Sequence, residues 1–182
     1  MERLQEVLDF NKKFVENKEY EAFTTSKFPD KNIVILACMD TRLVELLPQA
    51  MNFKNGDIKI VKNAGALVSH PFGSIMRSLL VGVYELQAEE IWVVGHHDCG
   101  SCAVQPDQVL EKMRKEVSDE VVDTLEHAGI DLKNWLQGAE DVTEGVRLSV
   151  DRIRNHPLLP KYATVHGLVI NPENGELEQV TD

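Results

Sequence analysis

Cysteine is scarce in this chain: only Cys38, Cys99 and Cys102 occur in 182 residues. Three thiols do not make a disulfide framework. Basic residues are also few, with 19 Lys and Arg against 30 Asp and Glu and a formal charge of −11. That sign argues against unaided contact with nucleic acid or an anionic membrane surface. No apolar run approaches the ~20 residues that a membrane helix needs. The opening, MERLQEVLDFNKKF, is charged and amphipathic rather than basic and then apolar, so no secretory leader is expected. A cytoplasmic protein with reduced thiols is the expectation, and there clustered cysteines bind metal or react. Repeats, low-complexity tracts and linkers are not evident. What remains is 43% hydrophobic and 27% charged, ordinary for a globular chain, and the length suits one domain over 1–182.

Apolar runs alternate with helical periodicity. Leu4, Val7, Leu8, Phe14 and Val15 share one side of an N-terminal helix. IVILA, starting at Ile33, is a continuous apolar run, the pattern of a strand covered on both faces. DIKIVKNAG (Asp57 to Gly65) and EEIWVVG (Glu89 to Gly95) read as further strands. Between them Ser74 is expected to cap a helix reaching about Gln87. Residues from about Pro106 to Gly138 are charged and helical. EGVRLSVDRIRNHPLLP is an amphipathic helix stopped by Pro157 and Pro160, and ATVHGLVINPENGELEQV is a hairpin. The order is that of an α/β protein. It predicts a mainly parallel central sheet flanked by helices, with a short antiparallel strand at its C-terminal edge.

In such sheets, sites form beyond the carboxyl ends of strands. The first strand delivers Cys38, Asp40 and Arg42 there, and the third delivers GHHDCGSC, residues 95–102. If the two strands are neighbours, Cys38 faces His96 and Cys99. Two thiolates and an imidazole suit zinc. Three protein ligands leave a fourth position for water, whose pKa the metal brings down towards ~7. Asp40 has two options: it can take the fourth position itself, or it can pair with Arg42, stay ionised, leave the metal to water and accept the hydroxide's proton so as to aim its lone pair. Cys102 opens two rival readings. Cys99-Gly-Ser-Cys102 has the layout of a thioredoxin-like redox motif. Cys102 can also complete a closed Cys₃His site, making the zinc structural.

CMDTR and HHDC, about sixty residues apart, together resemble the β-class carbonic anhydrases. KNAGALV and VRLSVDRIRNHPLLP resemble that family's further landmarks, in order. The resemblance runs from about Ile33 to Val180. It implies a zinc enzyme that hydrates carbon dioxide reversibly to bicarbonate. Cys38, His96 and Cys99 match the family's zinc ligands, and Asp40 and Arg42 its catalytic pair, with Asp40 a conditional fourth ligand. The backbone around Ala64 and Gly65 would border the substrate pocket. Family members are built on dimers, with N-terminal helices packed across the partner. A homodimer, or a higher homo-oligomer, with residues 1–24 as a helical arm is therefore expected. Relatives on the same scaffold hydrolyse carbonyl sulfide or carbon disulfide.

Other residues attract weaker expectations. His97 points away from His96 by strand alternation and is read as a hydrogen-bonded structural histidine rather than a proton relay. His70 is placed near a pocket mouth. His166 is read as packed, His127 and His156 as surface residues, and Tyr84 and Trp92 as core or interface packing. Cys102 is expected to be a buried small residue on a helix.

Overall fold

A computed structural model describes residues 2–181; Met1 and Asp182, the two ends of the expected domain, lie outside the described residues. The continuous apolar runs become the inner strands. β1 (Ile33–Cys38) is buried at all six positions. β2 (Ile58–Asn63), β3 (Glu90–His96), β4 (Thr164–Ile170) and β5 (Leu177–Thr181) complete one sheet in the order β2-β1-β3-β4-β5. The first four strands are parallel and β5 runs antiparallel to β4, closing the expected hairpin. Topologically, the chain moves from β1 out to β2 and back across to β3. The carboxyl ends of β1 and β3 are therefore side by side, with Ala37 opposite Val94.

Among the described residues, seven α-helices accompany the sheet: α1 (Glu2–Glu16), α2 (Leu43–Ala50), α3 (Ser74–Tyr84), α4 (Pro106–Glu116), α5 (Asp119–His127), α6 (Leu132–Leu136) and α7 (Val142–Arg154). α7 starts where the Asp141 carboxylate accepts the Glu144 N–H at 2.9 Å. Its Val146, Val150 and Ile153, at helical spacing, pack with Met76 and Leu79 of α3 onto Val34, Leu36, Ile91, Val93, Val165 and Val169. The opposite face of the sheet packs Ile33, Ile35, Val94 and Ile170 against Leu43 and Leu47 of α2. Each such fully buried aliphatic side chain stabilises the fold by roughly 1.5–3 kcal/mol. α4, α5 and α6 share a small core of Leu110, Val122 and Leu132.

Ser74 does not cap α3. A tight turn, with the Gly73 N–H donating to the His70 carbonyl at 3.1 Å, brings Ser74 into the chain already helical. The helix also stops at Tyr84, short of Gln87. Gln87 is left-handed (φ 62°) and the Ala88 N–H reaches back to the Gly82 carbonyl at 3.0 Å, the closure that ends a helix at that point. α1 forms as the periodicity predicts, yet none of its residues is buried.

Candidate metal centre

β1 ends in Cys38, β3 ends in His96, and the turn after β3 brings Cys99 back. One ligand atom from each of the three lies within 4.8 Å of the others, and all three residues are buried. The two sulfurs are 3.8 Å apart. His96 is held by the backbone next to it: its Nδ1 lies 2.8 Å from the His97 carbonyl oxygen. That oxygen can only accept, so Nδ1 carries the proton and Nε2 keeps a free lone pair. Nε2 is buried and has no hydrogen-bond partner among the described residues. A fully buried lone pair without a donor is costly, and a cation beside two thiols would satisfy it. The thiols point the same way. Burial, above all, pushes Cys99 up to about 11, and a dication is what makes such a sulfur an anion at neutral pH. The donor set fits zinc.

β2 contributes through the turn that follows it, Ala64–Ala66. The Gly65 N–H donates to Cys38 Sγ at 3.4 Å. Gly65 has φ 82°, and a Cβ there would meet the Ser101 hydroxyl oxygen at 2.5 Å. Position 65 therefore requires glycine. Ala64 precedes it and is exposed.

Asp40 lies just past Cys38 and binds Arg42 rather than the three ligand residues. Its Oδ1 accepts the Arg42 backbone N–H at 2.9 Å and Nε–H at 3.0 Å, and Oδ2 accepts an Nη2–H at 2.9 Å. These hydrogen bonds, with the guanidinium first, hold the carboxyl down to about 2, and the carboxylate in turn raises the Arg42 value. Asp40 Oδ2 is 3.7 Å from His96 Nε2, but Asp40 is not in the group of mutually close ligand atoms. Arg42 is also tied to Asp98, through its carboxylate at 3.2 Å and its carbonyl at 3.1 Å.

Nothing in the sequence singles out Asp98, although it lies within HHDC. Its left-handed backbone (φ 54°) turns it towards Arg42, and strand alternation gives no hint of that. The orienting carbonyl of His97 was equally illegible, since every residue has one. His97's own side chain points to solvent, away from His96 as predicted. Cys102 is half-buried, in a turn before α4 rather than on a helix, because its N–H closes back onto the Cys99 carbonyl at 3.1 Å. It is outside the ligand group. His156 is buried, not on the surface, and His166 is partly exposed rather than packed. His127 is exposed as expected. Tyr84 is 57% exposed and Trp92 half-buried against Phe53. His70 lines a cavity of about 490 Å³ with Leu67, Trp135 and Arg152, and none of the candidate ligands or the Asp–Arg pair borders it.

A family model described as carbonic anhydrase matches residues 33–177. A putative carbonic anhydrase of Bacillus subtilis, YvdA, is 58% identical over 99% of this chain and 92% of its own length. A solved β-carbonic anhydrase from Trichomonas vaginalis superposes with a TM-score of 0.88 at 30% identity, covering 100% of this chain and 99% of that one. A carbon disulfide hydrolase of Acidithiobacillus thiooxidans is 28% identical over 81% of this chain and 76% of its own.

Proposed function

The chain belongs to the β-class carbonic anhydrase family, and from that premise we propose that it is a cytoplasmic zinc enzyme hydrating carbon dioxide reversibly to bicarbonate. The observation that carries the reading is the buried group of Cys38, His96 and Cys99 with an unpartnered His96 Nε2. In this reading these three residues hold the zinc, which supplies a Lewis acid and a water acidified towards neutrality. The Gly65 N–H and the His97 carbonyl keep a sulfur and the imidazole in their places. Ala64 and Gly65 border the substrate space.

Asp40 and Arg42 control the fourth position. The carboxylate is ionised and both its oxygens are engaged by Arg42, so it is an acceptor and not a proton donor. Held beside His96, the ionised Oδ2 would accept a hydrogen bond from a hydroxide at that position and so aim its lone pair at carbon. Released by Arg42, Asp40 would be free to serve as a fourth ligand and close the site. The relative named as a carbon disulfide hydrolase supports one alternative: the same attack on another linear triatomic, carbonyl sulfide or carbon disulfide.

The functional unit in this reading is a homodimer or higher homo-oligomer. α1 exposes Leu4, Val7 and Leu8, and a 15-residue helix that buries nothing is marginal alone in water. The arm, residues 1–24, therefore packs on a second copy.

Stopped-flow carbon dioxide hydration by the zinc-loaded protein, scanned from about pH 6.5 to about 9, tests the reading. Fast turnover at any pH supports it. Bound zinc with no hydration anywhere overturns it and moves the assay to carbonyl sulfide and carbon disulfide. Loss of zinc in Cys102→Ala would instead favour a structural metal.

A further inference from the structure

The bonds that Arg42 gives Asp40 run between residues two apart in one turn. Bonds so local fix the shape of the pair but not its place beside the metal centre. A hold on that place comes from the other strand. Arg42 Nη1–H donates to the Asp98 carboxylate at 3.2 Å and Nη2–H to the Asp98 carbonyl at 3.1 Å, across 56 residues of sequence. Asp98 stands between His97, whose carbonyl orients the His96 ring, and Cys99. The guanidinium thus joins the turn after Cys38 to the turn that carries Cys99.

A guanidinium has several N–H donors in a fixed fork, and their allocation decides what Asp98 does. Asp40 takes Nε–H and one Nη2–H; Asp98 takes a second Nη2–H and one from Nη1. The two acids draw on different hydrogens, so Asp98 steadies Arg42 instead of competing for it. Its backbone is left-handed (φ 54°), a conformation that aspartate tolerates better than most residues. The carboxylate is 89% exposed, so its ion pair alone contributes little. The carbonyl, held in that left-handed turn, is the second grip.

We propose that Asp98 is a positioning residue: it holds the outer edge of Arg42, and through Arg42 keeps Asp40 beside His96 and out of the fourth metal position. Asp40 Oδ2 is already 3.7 Å from His96 Nε2, so a slight turn of an unanchored pair would make a restrained acceptor into a ligand. This role rests on the metal reading given above and names what keeps that site open.

Azide binding to the cobalt-loaded protein, followed at one fixed pH through the visible absorption of the metal, tests it. Azide takes the fourth position of an open site and not of one closed by Asp40, so its apparent affinity falls with the open fraction. Asp98→Gly keeps the left-handed backbone and the carbonyl but lacks the carboxylate, and should weaken azide about threefold. Loss of a negative charge would by itself tighten an anion, so the expected change runs against simple electrostatics. Asp98→Val also resists the left-handed backbone and withdraws the carbonyl, and should weaken azide about tenfold or more. Asp98→Asn retains the backbone and a side-chain acceptor and should bind azide at least as tightly as the unaltered chain. On an Asp40→Asn background, Asp98→Gly should no longer weaken azide, because no carboxylate remains to close the site. A mere disturbance of the Cys99 turn would persist there. Should Asp98→Val lose its cobalt, Asp98→Gly alone and on the Asp40→Asn background decides. Azide affinity that is unchanged or higher in cobalt-loaded Asp98→Gly overturns the role, as does a weakening that survives Asp40→Asn. An unaltered chain that takes up no cobalt overturns the metal reading and this role together. Neither readout involves carbon dioxide, so failure of the hydration assay is a separate result.

Discussion

At Asp40, three N–H groups of Arg42 converge on one carboxylate, and the expected consequences belong to single side chains. Cys38→Ala should abolish zinc retention, read as metal content after gel filtration, because a buried imidazole and one thiolate make a poor site. Asp40→Asn should retain zinc and lose about a hundredfold or more in turnover, since Asn presents a donor where an acceptor is required. The Asp40 value lies at about 2, below its ordinary 3.8. A lowered value means that the pairing contributes its full stability above 3.8 and loses it as pH falls towards 2. A fall in activity between pH 7 and 5 therefore has another origin. Carboxyl ¹³C titration should find Asp40 ionised throughout that range, and Arg42→Ala should return its midpoint towards the ordinary value. Cys38, Asp40, Arg42, His96 and Cys99 could be singled out in the sequence because a thiol, an acid and a base follow one apolar strand and an imidazole and a thiol end another; the structure brings Cys38, His96 and Cys99 together and pairs Asp40 with Arg42. Asp98 was not, because a left-handed turn re-aimed it.

Among the elements, the strands were the most legible, since a continuous apolar run buried on both faces has few alternatives. Their neighbourhood in the sheet was an assumption that the parallel pairing of β1 with β3 bears out. Helix ends were less legible. Ser74 looked like a cap, but a turn already closed by Gly73 displaced that role one residue back. His156 looked like a surface residue because it follows the last turn of α7, where periodicity gives no direction; the turn folds it inward against Phe72. The short element after β2 carries its own prediction. Gly65→Ala forces a left-handed alanine and drives a methyl into Ser101. It should cost about 1–2 kcal/mol from the backbone alone, read by denaturant melting. Zinc affinity should fall as well, because the same residue donates to Cys38.

On the scale of the whole molecule, two surfaces lack a partner among the described residues. Parallel sheets are ordinarily covered on both faces. Here α3 and α7 pack on one face and α2 on the other, where it reaches Ile33 and Ile35 of β1, Val94 of β3 and Ile170 of β4. Towards the amino ends of β3 and β4 and beside β5 that second face is less covered, and Glu90, Trp92, His166, Leu168 and Gln179 line a shallow space of about 310 Å³. The same chain carries α1, whose Leu4, Val7 and Leu8 lie 65%, 63% and 47% exposed. A thinly covered stretch of sheet and an unburied amphipathic helix are complementary deficits. The arm is tethered where the Asn55 side chain donates to the Phe23 carbonyl at 2.7 Å, and beyond that tether it makes little contact with the body of its own chain. A second copy laying its arm on that stretch removes both deficits at once. Leu8→Asp should therefore convert the assembly to monomers in sedimentation velocity and shield Trp92 less from a fluorescence quencher. The metal group is built entirely within one chain, so zinc content should not change. A Leu8→Asp protein that kept its assembly state would place the interface elsewhere and return α1 to its own subunit.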